Sequence, residues 1–304
     1  MSESAASRDL SSTVRVLERA YLQSPDGVGD PEVAAAAHLA LGLDRLAGTA
    51  TTRVYRADDA VGAAVQIVTD DMPLLVESVT ALLSRLGAAV AALVHPVFAV
   101  HRDLDGVLLD LAPDGALQSD EPTESWIHIQ LHPTTPPDVL DGIECEIDGV
   151  LDDVRQVVAD TDAMHTLQNR LADELEALAA DPASVHAPTD LAETAELLRW
   201  LARGNYAGLG YRRYDFGVPD GDGACRSSPV PHSGLGVLRT VSETADPIDL
   251  PDEVYPDRRP LLVLTQARGL RPCIVRCIRT SSAWASSTQR AAPSVNTASS
   301  VSSP

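Results

Sequence analysis

One stretch of the chain, Ala63 to Val100, constrains the fold more than any other. An apolar run (AAVQIV) leads into an acidic turn, an amphipathic stretch follows, and a second apolar run (VAALVHPVFAV) completes it. The amphipathic stretch has its apolar side chains at helical spacing, namely Leu75, Val79, Leu82, Leu83 and Leu86. Asp70 or Asp71 can cap the free N–H groups at the start of such a helix, and Gly87 supplies its C-terminal stop. This order predicts a strand, a capped helix and a strand.

The flanking sequence predicts helices before this stretch and a hairpin after it. Residues 12–23 and 31–47 carry apolar residues along one helical stripe. An Asp-Gly pair at 105–106 predicts a tight hairpin between strands at 97–101 and 107–111. Because a tight hairpin joins antiparallel neighbours, we expect the sheet to be antiparallel here.

A second α/β unit is predicted to begin after a long helical region. Residues 126–132 alternate between apolar and polar side chains, which predicts a strand buried on one face. Helical spacing then runs over 137–180, with an expected break near 160–162. A further helix, capped by Asp190, and a strand over 206–216 start the second unit, which is barely completed.

The composition excludes several kinds of chemistry. The 304 residues include 23 Arg and no Lys, which rules out Schiff-base chemistry, a P-loop lysine and a lysine acid or base. All 44 acidic residues lie within residues 1–257, so this part repels nucleic acid and anionic membranes. The four Cys form no disulfide framework, and neither a membrane-spanning run nor a signal peptide is present. We therefore expect a cytoplasmic protein with no nucleic-acid and no membrane partner.

Residues that suggest catalysis or metal binding have simpler structural explanations. His128 and His132 lie four residues apart on one strand, roughly 13 Å, and cannot share a metal ion. His95 is expected to be a hydrogen-bonded histidine in the core or at its edge. The sequence GNYAGLG at 204–210 follows a helix and precedes a strand, the reverse of a dinucleotide site. The Cys pair at 273–277 lacks two further zinc ligands. We predict no catalytic residue, no cofactor site and no metal site.

The best candidate site is the turn between the first strand and its helix. It comprises Asp70, Asp71, Met72, Pro73 and Leu74. Free N–H groups at the helix start can hold the carboxylate of an amino acid, helped by the helix dipole. The two aspartates oppose that carboxylate by like charge, while their oxygens can receive an amino group. The alternative is that they only cap the helix.

Several blocks of sequence occur here in an order that resembles one enzyme family, the large bacterial NAD-dependent glutamate dehydrogenases. The blocks are DDMPLLVESVTALLSRLG, VHPVF, ESWIHIQL, LLRWLARGNYAGLGYRRYDF, GLGVLR and LLVLTQA. The resemblance covers roughly residues 10–268. The chain departs from the family at Thr161, where a tryptophan is expected, and at Ala207, where a bulky residue or threonine is expected. It implies an N-terminal regulatory region with ACT-like folds, and it places the NAD-binding and glutamate-binding domains far downstream.

The resemblance implies an α+β fold of the ACT-like (ferredoxin-like) kind, with an antiparallel sheet and helices on one face. A helical segment over 1–50 would precede an ACT-like domain over 51–181, and an incomplete second ACT-like unit would occupy 189–268. Full-length members oxidise L-glutamate to 2-oxoglutarate and ammonia with NAD. This chain is expected to be inactive alone, to contact an amino-acid effector and to take part in a homo-oligomer.

The resemblance ends near Gly269, where the sequence becomes rich in Arg, Ser, Ala and Thr and lacks acidic residues. Our hypothesis is a frameshift that leaves a truncated chain whose residues 269–304 are disordered, off-frame translation. One alternative is a stand-alone ACT-like module that binds an amino acid and regulates a separate enzyme in trans. Another is a nucleic-acid adaptor that uses the seven Arg of residues 258–304.

Overall fold

A computed structural model describes most of the chain and divides it into two units. The described residues are 11–23, 29–113, 122–184, 186–216, 227–239, 262–266, 274–279 and 294–300. The units are Met1–Asp152 and Asp153–Pro304. The sequence predicted a boundary at 181–189 instead, after the long helical region, whereas the division of the structure falls within that region.

The first unit is built on a six-stranded antiparallel sheet. Its strands are β1 (Thr51–Tyr55), β2 (Ala64–Asp70), β3 (Val90–Val94), β4 (Val97–Arg102), β5 (Leu108–Pro113) and β6 (Thr123–Leu131). Its helices are α1 (Ser11–Leu22), α2 (Pro31–Gly42), α3 (Leu75–Leu86) and the beginning of α4 (Pro137–Ala179). The strand order is β1-β2-β6-β4-β5, and β3 pairs with the part of β6 that β4 leaves free. The mixed α+β architecture with an antiparallel sheet confirms the predicted fold class.

Helices α1 and α2 cover one face of this sheet. Trp126 of β6 lies on that face, opposite Val68 of β2, and both are fully buried. The helices contribute Leu17, Tyr21, Ala34, Ala35 and Leu39 to the same apolar cluster. Each large apolar side chain buried in this way contributes about 1.5–3 kcal/mol.

The opposite face of the sheet is buried as well. Side chains alternate along a strand, so Ile127 and Ile129 of β6 and Ile67 of β2 point away from α1 and α2, yet none is exposed. Helix α4 lies on this side, because Thr52, the ladder partner of Ile67, donates to Oδ1 of Asp148 (2.8 Å), and α3 is joined to α4 by the ion pair of Arg85 with Glu146. Both helices have buried apolar stripes, namely Leu75, Val79, Leu82, Leu83, Leu140, Ile143 and Ile147. The prediction that β6 is half-buried is therefore wrong, because helices cover both faces of this strand.

Two turns of the first unit lie where the sequence predicted them. Gly87 ends α3 with φ 76°, and its N–H bonds the carbonyls of Leu83 and Ser84. Gly106, with φ 85°, lies in the turn that joins β4 to β5. The second apolar run is two strands rather than one, because Pro96 has no N–H to donate to a ladder.

The long helix α4 is continuous, and the break predicted near 160–162 does not occur. Thr161 turns its hydroxyl back onto the carbonyl of Val157, at 2.9 Å, so it does not interrupt the helix. Asp160 is buried and accepts hydrogen bonds from the N–H of Gly236 (2.8 Å) and Nε of Arg239 (3.0 Å). The carboxylate of Asp160 therefore has hydrogen-bond partners although the helix continues through this residue.

The second unit contains the rest of α4, another helix and a seven-stranded sheet. Helix α5 (Pro188–Trp200) continues into a π-helical turn (Leu201–Asn205). The strands are β7 (Ala207–Tyr211), β8 (Arg213–Phe216), β9 (Ser227–Pro229), β10 (Leu235–Gly236), β11 (Leu262–Gln266), β12 (Ile274–Arg279) and β13 (Ser294–Ser300). Their order is β10-β7-β13-β12-β11, with β8 between β13 and β9. The single strand predicted over 206–216 is thus two.

Two stretches of the segment 269–304 form strands rather than the expected disorder. Strand β12 pairs with β11 and β13, and β13 also pairs with β7. These ladders give the backbone N–H and C=O groups of both stretches their hydrogen-bond partners. The remainder of the segment lies outside the described residues. The frameshift hypothesis concerns the gene and stays a prediction.

Candidate functional site

The predicted turn lies between the end of β2 and the first residue of α3. Leu74 is the residue before the helix and has φ 71° and ψ 2°, the left-handed conformation. A non-glycine residue rarely adopts this conformation, and holding it costs of the order of 1 kcal/mol. The turn therefore has a backbone conformation that the surrounding structure imposes.

The start of α3 has no side-chain cap. The first helical hydrogen bond runs from the N–H of Ser78 to the carbonyl of Leu74, at 3.0 Å. No side chain caps the N–H groups of the first helical turn. The prediction that Asp70 or Asp71 caps the helix is wrong, because both carboxylates have partners elsewhere.

Asp70 binds the loop that follows α2. Its Oδ1 accepts a hydrogen bond from Nη2 of Arg45 (2.9 Å), and its Oδ2 accepts one from the N–H of Gly48 (2.8 Å). Asp70 pairs directly with Glu124 across the ladder between β2 and β6. Two carboxylates in that position repel each other, and Arg45 relieves the repulsion because it contacts both.

Glu124 is the centre of a buried ion cluster. Its side chain is fully buried, and Oε1 accepts from Nε of Arg45 (3.1 Å) and Nε of Arg102 (2.6 Å). Its Oε2 accepts from Nη2 of Arg102 (2.8 Å) and Nε1 of Trp126 (3.2 Å). A buried carboxylate with this many charged donors is satisfied as an ion. The sequence analysis missed this cluster, although a lone Glu at the start of an apolar strand was a signal for it.

Asp71 joins a second polar chain on the other face of the sheet. The Ser125 hydroxyl donates to Oδ1 of Asp71 (2.5 Å), and Nε2 of His95 lies 2.9 Å from the same hydroxyl oxygen. Because the serine proton faces Asp71, the His95 N–H is the donor in the second bond. Histidine therefore does not act as a base toward this serine, and the three residues do not form a nucleophile. Burial lowers the pKa of His95. The expectation of a hydrogen-bonded histidine is confirmed.

A buried polar network lies between the helices and the sheet. Nδ1 of His38 accepts from the Tyr21 hydroxyl (2.7 Å), and its Nε2 donates to the carbonyl of Ile67 (3.1 Å). The side-chain amide of Gln66 donates to the carbonyl of Ala34 (2.9 Å) and to Nδ1 of His128 (3.2 Å). Burial lowers the pKa of His38 to about 3 and that of His128 to about 4. Sequence reasoning missed His38, because it lies in an alanine-rich helix with weak amphipathicity.

The other candidate ligands do not converge. His128 is buried in the network, whereas His132 lies beyond the end of β6 and is exposed. Among the described residues, no group of three or more His, Cys, Asp or Glu is arranged to hold a metal ion. Cys145 is an exposed free thiol on α4, while Cys273 lies outside the described residues. Within the described part of the chain, no helix combines the length and apolar character that crossing a bilayer needs.

Comparison with known proteins identifies relatives of one kind. Residues 25–147 match the family model described as "Glutamate dehydrogenase, ACT1 domain". The chain is 40% identical over 236 residues to the NAD-specific glutamate dehydrogenase of Mycobacterium tuberculosis, an alignment that covers 76% of this chain and 13% of that protein. It is 37% identical over 175 residues to that of Halomonas elongata, covering 58% of this chain and 10% of that protein. The corresponding protein of Pseudomonas aeruginosa is 29% identical over 210 residues, which cover 67% of this chain and 12% of the relative. This chain therefore spans only about an eighth of the length of the first of these relatives.

Proposed function

Because this chain belongs to the NAD-specific glutamate dehydrogenase family and corresponds to its N-terminal, ACT1-containing region, we propose that it regulates the enzyme by binding an amino-acid effector. The binding site in this proposal is the turn from Asp70 to Leu74, where the first N–H groups of α3 receive the effector carboxylate. The match of residues 25–147 to the ACT1 domain supports a regulatory role.

The observation that carries the proposal is the uncapped first turn of α3. The N–H groups of Leu75, Val76 and Glu77 precede the first helical hydrogen bond and have no side-chain cap. A carboxylate bound there would satisfy them and interact favourably with the helix dipole. Asp70 and Asp71 already bind donors of the protein, so their like charge opposes such a ligand less than the sequence suggested. Glu77 remains an unfavourable charge nearby.

The activity of the whole protein is part of the same proposal. The relatives are named as NAD-specific glutamate dehydrogenases, and we infer that the full-length protein oxidises glutamate with NAD. Hydride transfer would belong to regions outside the alignment, since a lysine-free chain offers no ammonium group to bind substrate or assist the reaction. We further propose a cytoplasmic homo-oligomer that has neither membrane nor nucleic-acid partners, in keeping with its acidic sequence.

The test is a binding titration that removes one N–H group from the helix start. Proline is tolerated in the first helical turn but has no N–H, so Val76→Pro deletes a donor and adds no charge. Calorimetric titration of the 304-residue chain with each of the twenty amino acids should reveal saturable binding by at least one. Val76→Pro should weaken that binding about tenfold, which corresponds to about 1.4 kcal/mol.

Val76→Ala is the matched control, because it shortens the same side chain and keeps the N–H group. Its affinity should stay within about twofold of the parent, given that Val76 is only partly buried and the loss of two methyl groups there contributes little. Equal binding by the proline and alanine variants would exclude the turn as the carboxylate site. Absence of binding by all twenty amino acids would exclude the proposed effector class.

A further inference from the structure

A groove separate from the turn lies between α2 and the β1 end of the sheet. It has a volume of about 540 Å³, within the range of small-molecule sites, which is about 300–1,000 Å³. Helix α2, Asp44, β1 and the loop before β2 form its walls, and none of residues 70–74 lines it. A ligand here would therefore not contact the residues of the turn.

One wall of the groove is apolar and combines alanines with larger aliphatic side chains. Ala37 and Leu41 of α2 line it, and Val61 faces them from the loop. Ala34 and Ala35 of the same helix are buried in the core, so the groove residues lie on the flank of α2 that the sheet leaves open. Alanine leaves space where a longer side chain would fill the groove.

An arginine without a carboxylate partner lies in the groove. The Arg53 guanidinium stacks over the ring of Tyr55, with 5.2 Å from its carbon to the ring centre. Among the described residues Arg53 forms no ion pair, in contrast to Arg56, which pairs with Asp141 and Glu144. Tyr55 is itself fixed, since its hydroxyl donates to Oε1 of Gln66 at 3.0 Å. The stacked guanidinium is positioned and keeps donors free for an anion.

Two carboxylates share the groove with that arginine. Asp44 is exposed and lines one end. Asp59 is held by the N–H of Arg56, which donates to its Oδ2 (2.6 Å), and its Oδ1 is left over. A simple anion would be repelled by the two aspartates, and a simple cation would be repelled by Arg53. A ligand that carries both a negative and a positive charge can pair with Arg53 and with the two aspartates at once.

We propose that this groove binds a free α-amino acid with an apolar side chain. Arg53 binds the ligand carboxylate, Asp44 and Asp59 bind its ammonium group, and Ala37, Leu41 and Val61 contact its side chain. The site is separate from the turn at α3, and either can exist without the other.

The test titrates the 304-residue chain with L-leucine, L-methionine and L-phenylalanine to about 10 mM, the range expected for ligands with so few atoms. At least one should bind saturably. Its methyl ester, which lacks the carboxylate charge, and its N-acetyl derivative, which lacks the ammonium charge, should each bind at least tenfold more weakly. Arg53→Gln and Asp44→Asn should likewise raise the Kd at least tenfold, because each removes a charge-assisted hydrogen bond.

Two further variants make the result specific to the groove. Arg56→Gln removes a neighbouring arginine that does not line the groove, and it should leave the Kd unchanged. Ala40→Trp fills the groove from an exposed helical position and keeps every charge, so it should abolish binding even if a charge variant folds poorly. Failure of all three amino acids to bind, or an unchanged Kd in both Arg53→Gln and Ala40→Trp, would overturn the proposal.

The same variants separate this site from the turn. Binding that is lost in Ala40→Trp and retained in Val76→Pro belongs to the groove. Binding that is lost in Val76→Pro and retained in Ala40→Trp belongs to the turn and counts against the groove.

Discussion

At the scale of single residues, the first unit contains polar groups that are buried and fully paired. The two histidines of the network beneath α1 and α2 each donate through Nε2 and accept at Nδ1. A proton added to Nδ1 of His128 would face the amide donor of Gln66, and one on His38 would leave the Tyr21 hydroxyl without its acceptor. No carboxylate takes part in these hydrogen bonds. Both side chains are therefore neutral in the folded protein.

The burial of these histidines predicts that acid destabilises the first unit. The folded pKa values of about 3 and about 4 lie below the ordinary 6.5, so the unfolded chain binds protons that the folded chain does not. Stability is then present above pH 6.5 and is lost as the pH falls towards the folded values. At pH 5 each histidine should lower the free energy of unfolding by about 2 kcal/mol relative to pH 7.5.

Urea unfolding followed by the fluorescence of Trp126, with Trp200 and Trp284 changed to Phe, measures this dependence. His38→Gln and His128→Gln should each flatten the pH dependence between 7.5 and 5, because each removes one proton-binding group. His132→Gln, at an exposed position, should leave it unchanged. A parent-like pH dependence in both buried variants would contradict the assignment.

The buried ion cluster gives a second prediction at this scale. Glu124→Gln keeps the size of the side chain but leaves Arg45 and Arg102 without their shared charge. Removing one partner of a buried ion pair costs about 3–5 kcal/mol, so the urea midpoint should fall sharply. Glu144→Gln is the matched control, since its pair with Arg56 is exposed, and the midpoint should not move. A small effect of Glu124→Gln would mean that water reaches the cluster.

At the scale of elements, glycine shows how one residue type has opposite roles. Gly87 ends α3 with positive φ and has open space where a Cβ would be. Gly142 lies inside α4, where a Cβ would make only an ordinary contact with Leu86 at 3.6 Å. The first position needs the backbone freedom of glycine, and the second does not.

The same substitution at these two positions should therefore change stability in opposite directions. Gly87→Ala should lower the free energy of unfolding by about 1–2 kcal/mol, because the left-handed conformation is unfavourable for alanine. Gly142→Ala should raise it by about 0.5–1 kcal/mol, because alanine favours the helix. Urea unfolding of both variants checks the pair, and a change of the same sign in both would refute the explanation.

At the scale of the whole molecule, the sequence predicted what depends on neighbours along the chain. The helix over Leu75–Leu86, its stop at Gly87 and the hairpin at Gly106 follow from local periodicity and turn chemistry. The cover that α1 and α2 give to their face of the sheet could not be predicted, because Gln66 and His128 look solvent-facing until Tyr21 and α2 supply their partners.

The candidate site shows the same division. The position of the turn follows from the acidic residues before an amphipathic helix. The role of Asp70 does not, because its partner Arg45 is 25 positions away in the sequence. The break predicted in α4 does not occur for a similar reason. The hydrogen-bond partners of Asp160 are Gly236 and Arg239, which lie 76 and 79 positions further along the sequence.

The short connection after α2 has a consequence for communication within the first unit. Asp44 borders the groove, and the next residue, Arg45, grips Asp70 at the turn. Two consecutive residues of the backbone thus contact two separate candidate sites, the groove and the turn. If a ligand in the groove displaces this connection, the affinity of the turn for its own ligand must change as well. By thermodynamic linkage, each ligand then changes the affinity of the other by the same factor.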